Sequence, residues 1–142
     1  MNQHAIFLPM GALVLLTFLV LILIPIRRIA AGRRGQIRTD DFKYGESATV
    51  PGQVSIPNRN YMNLLELPVL FYVVCLMFQA MDLVDEIVLV LAWLYVAPRA
   101  LHSAIHLTHN NVIHRLVVFA ASNVVLGTMW VWFFVRAWPS LI

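Results

Sequence analysis

The chain has 142 residues, 61% of them hydrophobic, with a mean hydropathy of +0.78 and a formal charge of +3. A soluble domain is nearer half apolar, and one of this size could not hide so much apolar surface. The composition therefore excludes a soluble protein and indicates an all-α integral membrane protein of one domain, residues 1–142.

Four apolar segments follow in chain order, at about 6–26, 61–81, 87–107 and 116–138. Each has roughly the twenty residues that a helix needs to cross a bilayer. Helices are required, because an unpaired backbone group in lipid costs several kcal/mol. Too few alternating segments exist for a barrel. No basic stretch precedes the first run, and the run is too long for a signal-peptide core, so it reads as a membrane helix.

Residues 27–58 form the one long connection. Arg27, Arg28, Arg33, Arg34, Arg38 and Lys43 crowd it, with Gly32, Gly35, Gly45, Pro51, Gly52 and Pro57. It is expected to be irregular and to touch headgroups. Nucleic-acid binding is not expected, because no aromatic interleaving or nucleic-acid motif accompanies the charge. The next connection is acidic, with Asp82, Asp85 and Glu86, and the last is a short polar turn at 108–114 with Asn110 and Asn111 at its tip. The basic loop belongs in the cytoplasm by the positive-inside rule, which puts both termini outside, periplasmic for a bacterial inner membrane.

Pro68 and Pro98 fall within the second and third segments and are expected to bend them as ordinary membrane prolines. Cys75 reads as a small core residue. Trp132 and Trp138 suit an interfacial belt at the outer end of the fourth helix, with Arg136 snorkelling there.

Ionisable groups inside membrane helices are rare and usually face a bundle interior or a wet cavity. Arg59, Asn63 and Glu66 fall at i, i+4 and i+7 at the start of the second segment. Arg99, His102, His106 and His109 fall at i, i+3, i+7 and i+10 along the third, and Arg115 opens the fourth. Each series makes one helical stripe, and both lie in the cytoplasmic half. Glu66 and Arg99 each need a counter-charge, so their pairing is the cheapest arrangement, as a structural lock or as part of a site. The histidines admit a metal, a polar seam between helices, or an anion-binding surface. No cysteine joins them and no carboxylate stands at a fixed spacing, so no metal is assigned.

The stretch Arg59-Asn-Tyr-Met-Asn63-Leu-Leu-Glu66, followed by Pro68, resembles the second-helix signature of the MAPEG family, the membrane-associated proteins in eicosanoid and glutathione metabolism. Arg99-Ala-Leu-His102 in the third segment and Arg115 entering the fourth fit the same family, as do the length and the long first loop. The resemblance implies a homotrimer of four-helix subunits, with glutathione between neighbouring subunits near the cytoplasmic side. It implies that Arg59, Asn63 and Glu66 grip the charged ends of the tripeptide. It also implies that Arg99 and His102 complete the pocket and that Arg115 polarises the thiol. Family enzymes commonly carry tyrosines where this chain has Leu67 and His106, so His106 is expected to replace one ligand contact. The chain looks most like bacterial members.

Two functions follow from different classes. The first is a glutathione-dependent transferase or peroxidase, with glutathione as co-substrate, acting on lipophilic electrophiles that enter from the lipid. The second is a non-catalytic membrane binding or scaffold protein that uses the polar stripes for assembly. A metal or proton transporter is disfavoured, because the outer halves of the helices offer only Gln79, Ser122, Asn123 and Thr128.

Overall fold

The computed structural model describes residues 2–141, with side chains through Pro139. A short 3-10 turn, Gln3–Ile6, leads into α1, Phe7–Arg33. After a connection containing a second 3-10 turn, Thr39–Phe42, come α2, Gly52–Leu65, and α3, Pro68–Ala80. Helices α4, Glu86–Leu107, and α5, Val112–Leu141, complete the chain. No strand occurs among the described residues. Taking α2 and α3 as one path, four helices are long and apolar enough to span a membrane. The protein is a four-helix membrane bundle.

The helices outrun the apolar segments. At 1.5 Å per residue α1 is about 40 Å long, whereas the hydrocarbon core is about 30 Å thick. Arg27, Arg28 and Arg33 thus stand on a helix rather than in the expected irregular loop 27–58. Arginine is a good helix former, and cations suit a helix C-terminus. Likewise α2 starts at Gly52, nine residues before the apolar segment at Tyr61. The true connection, 34–51, is held by Arg28, which pairs with Glu46 at 3.2 Å and lies 4.2 Å from the Phe42 ring centroid. A small core of Ala31, Val50 and Val54 sits beneath it.

Pro68 and Pro98 behave differently. Pro98 lies inside an unbroken α4, whereas Pro68 is the first residue of α3 after a break at Glu66 and Leu67. Proline has no N–H for the carbonyl four residues back, and its ring clashes with that carbonyl. Glu66 leaves the helical conformation at φ −81°, ψ −97°. Its carbonyl accepts from Val69 N at 3.2 Å, and Leu67 O accepts from Leu70 N at 2.9 Å.

The core follows helical spacing. Phe71, Val74, Cys75 and Phe78 of α3 bury one face against Val88, Ala92 and Tyr95 of α4 and Met129 and Phe133 of α5. Phe71 stacks on Tyr95 with centroids 4.5 Å apart, and Phe78 meets Phe133 edge-on at 5.3 Å. The outward faces carry Phe18, Ile22, Val90, Leu94, Val124 and Val131, all exposed and suited to lipid.

The acidic end is tied twice. The Gln3 side chain donates to Val84 O at 3.2 Å and accepts from Val84 N at 2.8 Å. Asp85 caps α4 by accepting from Val88 N at 2.9 Å, and its other oxygen accepts from Arg136 Nη1 at 2.5 Å. Arg136, expected at the outer end, therefore has a defined partner. Partial burial pushes the Asp85 carboxyl up, but the bonds from Val88 and Arg136 outweigh this and hold it below the usual carboxylate range. A depressed carboxylate stabilises the fold above its unfolded pKa, about 3.9, and that contribution is lost as pH falls through the lower folded value. Asp85→Ala removes cap and ion pair together and should cost about 1–2 kcal/mol, whereas Asp85→Asn keeps the cap and should cost under about 1 kcal/mol. Thermal unfolding in detergent checks both. The wild type should also lose stability below about pH 4 more steeply than Asp85→Asn.

Candidate functional site

The opposite, basic end gathers most of the polar residues singled out above. Asn63 of α2, His102 of α4 and Arg115 of α5 line one cavity of about 230 Å³, walled on its apolar side by Val112, Leu116 and Phe119. The break after α2 shapes this cavity. The last carbonyls of a helix have no partner within it, and Asn63 O accepts a hydrogen bond from Arg99 Nη2.

Arg99 is 1% exposed. Its guanidinium carbon lies 5.3 Å from the Phe119 ring centroid and 5.9 Å from that of Tyr95, within cation–π reach. The expected Glu66–Arg99 pair does not form. Glu66 is exposed at the break, and Arg99 takes a neutral carbonyl instead. Arg99 Nε and Nη1 have no hydrogen-bond partner among the described residues.

His102 and His106 are buried side by side, ring centroids 5.7 Å apart, and His102 also lies 5.8 Å from Phe119. His106 Nδ1 is buried without a partner. The stripe ends there. Helix α4 stops at Leu107, so His109 falls in the turn, exposed, 5.7 Å from the ring of His114. Among the described residues no three metal-ligating side chains gather.

Arg59 is not at a helix start but two turns into α2, exposed. It shares that outward face with Met62 and Glu66, while Asn63 sits at its inner edge. The structure thus brings Asn63, Arg99, His102, His106 and Arg115 together and leaves Arg59 and Glu66 on the flank. Arg115 is in the first turn of α5, its Nη1 donating to Asn110 Oδ1 at 2.6 Å and its Nε buried without a partner.

Sequence reasoning missed three features: one hydrogen-bonded pair and two single residues. Ser103 Oγ donates to Asn60 Oδ1 at 3.2 Å, both residues buried, joining α4 to α2. Phe119 stands one turn after Arg115 and touches both Arg99 and His102. Asn110 was seen only as a turn tip. The first two lie on the helical faces of residues already singled out, so extending those faces by one turn would have found them.

Residues 6–135 match the model of the MAPEG family. The chain belongs to the MAPEG family. Comparison with curated proteins and with solved structures gave no match. MAPEG members are glutathione transferases and peroxidases or non-catalytic binding proteins, and they generally use glutathione.

The Asn60–Ser103 bond yields a stability prediction. Ser103→Ala strands a buried amide oxygen and should cost about 1–3 kcal/mol. Combining it with Asn60→Leu should cost less than the sum of the singles, measured as a double-mutant cycle of thermal unfolding.

Proposed function

We propose that this MAPEG protein is a membrane-embedded glutathione transferase or peroxidase whose thiolate is held at Arg115. The observation that carries the reading is the cavity where Arg115, His102 and Asn63 meet an apolar wall. It offers cationic and polar donors on one side and hydrocarbon on the other. Glutathione carries one more carboxylate than ammonium and so suits a site where neither Arg99 nor Arg115 forms an ion pair among the described residues. A free thiol has a pKa of about 8.5, and an adjacent guanidinium raises the thiolate fraction at neutral pH.

In peroxidase chemistry the thiolate attacks a peroxide oxygen, and the O–O bond breaks to release an alcohol. A second glutathione turns the resulting sulfenic acid into a disulfide and water. Transfer to carbon is simpler. The thiol proton leaves to water, and the sulfur lone pair forms a bond to an electrophilic carbon. The displaced electron pair departs with a leaving group, or moves along a conjugated system that is then protonated. Val112 and Leu116 are exposed on the outer face of α5, so a lipophilic electrophile reaches the cavity from the lipid side.

Homotrimeric assembly belongs to the same proposal. Exposed Glu66 would face lipid in a lone subunit, at a cost of a few kcal/mol, with Arg59 on the same face two turns nearer the membrane boundary. A neighbouring copy covering that face removes the cost and lets both residues grip the tripeptide at the subunit boundary. The basic end then faces the cytoplasm, by the positive-inside rule. A second reading, a non-catalytic binding protein, draws on the Asn60–Ser103 bond, which serves assembly without chemistry.

Arg115→Ala should raise the apparent pKa of the bound thiol by about one unit, cutting thiolate about tenfold at neutral pH. Arg59→Ala should leave that pKa in place and weaken binding about tenfold, as for a lost charge-assisted hydrogen bond. Thiolate absorbance against pH reads the first, and calorimetry of glutathione binding to the purified protein reads the second. Binding without thiolate would favour the non-catalytic protein, and neither heat nor thiolate from the intact protein would refute a glutathione site.

A further inference from the structure

The turn between α4 and α5 holds more order than its length requires. Asn110 adopts φ +48°, the left-handed region that asparagine tolerates better than most residues. Its N–H donates to Ile105 O at 2.8 Å and closes the end of α4. Asn111 caps α5 through Oδ1, which accepts from Ile113 N and His114 N at 3.0 Å each. The chain therefore enters α5 at a fixed angle, with Arg115 in the first turn.

We propose that Asn110 is the positioning residue for Arg115, fixing the direction of its guanidinium without cancelling its charge. This role rests on the glutathione reading above. The guanidinium is a rigid planar fork, so anchoring Nη1 on Asn110 Oδ1 constrains where Nη2 and Nε can point. A first-turn arginine with no such anchor is free to swing toward lipid headgroups. The anchor is an amide, and that choice has an electrostatic consequence. An aspartate would hold Arg115 at least as firmly, but its charge would offset the field that stabilises a thiolate. A neutral acceptor gives orientation and leaves the full positive charge for the ligand.

Two substitutions separate positioning from mere support of the turn. Asn110→Gly keeps the left-handed backbone and removes the anchor. Asn110→Asp keeps the anchor and adds a negative charge. Both are measured in the purified full-length protein for thermal stability, glutathione affinity by calorimetry and thiolate absorbance against pH. Asn110→Asp should unfold near the wild-type temperature, yet hold about tenfold less thiolate at neutral pH. Asn110→Gly should also lose thiolate, about threefold, with affinity within about twofold of wild type, since disorder of one cation removes only part of its field. Wild-type thiolate titration in Asn110→Asp overturns the role, as does a loss in both variants that tracks unfolding temperature alone. A wild type that binds glutathione with no thiolate overturns the thiol-activating reading itself, a result distinct from a normal wild type with an unaltered Asn110→Asp.

Discussion

A guanidinium enclosed in an apolar bundle is the constraint around which the basic half of this protein is arranged. Arg99 is buried within the apolar third span, where an unsatisfied charge costs several kcal/mol. The fold meets part of that demand with the Asn63 carbonyl and with the ring faces of Tyr95 and Phe119. Each has a structural precondition. Asn63 offers its carbonyl because α2 ends at Leu65, where the chain leaves helical geometry at Glu66 ahead of Pro68. The last carbonyls of a helix have no partner within it. Tyr95 presents its ring because Phe71 stacks on it from α3. Phe119 arrives because α5 enters through an ordered turn. The cavity is what remains between these commitments, with Asn63 and Phe119 serving both as partners of Arg99 and as its walls.

Much of this was legible in the residues, and the misses share a cause. Apolar length locates spans well, because bilayer thickness sets it. It locates helix ends poorly, because a helix continues past the lipid as long as propensity and packing allow. Hence α1 runs to Arg33 and α2 begins at Gly52. Helical spacing placed Arg99, His102 and His106 on one buried face. It failed at His109 because a period cannot show where a helix stops. The Glu66–Arg99 pairing was argued from charge alone. Backbone carbonyls freed by a proline break are invisible to that argument, although Pro68 two residues after Glu66 was the sign of one. Asn60 and Ser103 passed unnoticed because a hydroxyl and an amide carry no charge to flag them.

Buried polar atoms without partners occur toward both ends, on Trp130 and Trp132 of α5 as well as around the cavity, but among the described residues the cationic side chains that carry them lie in the basic half. At the acidic end Gln3 bonds to Val84 and Arg136 to Asp85, tying the N-terminal turn and the end of α5 to the α3–α4 turn. These contacts are part-buried, with Asp85 and Arg136 each about one-third exposed, so they fix the geometry of that end more than they add stability. At the basic end Arg99 Nε and Nη1, His106 Nδ1, Arg115 Nε and Asn60 Nδ2 are buried without partners among the described residues. Buried donors left unmade are costly and are kept only where something else repays them.

The placement of carboxylates sharpens that contrast. The ion pairs among the described residues are Arg28–Glu46, in the connection after α1, and Arg136–Asp85, at the far end. Neither lies at the cavity. Glu66, the acidic residue nearest to it in sequence, turns outward at the break. Arg99 and Arg115 therefore hydrogen-bond to neutral oxygens, of Asn63 and Asn110, rather than to carboxylates. Neutral acceptors orient a cation, whereas carboxylates orient it and cancel it. A bundle that needed these arginines only for cohesion would gain more from acidic partners. One that withholds them maintains a positive potential in a region of low dielectric, where an incoming anion feels it most strongly.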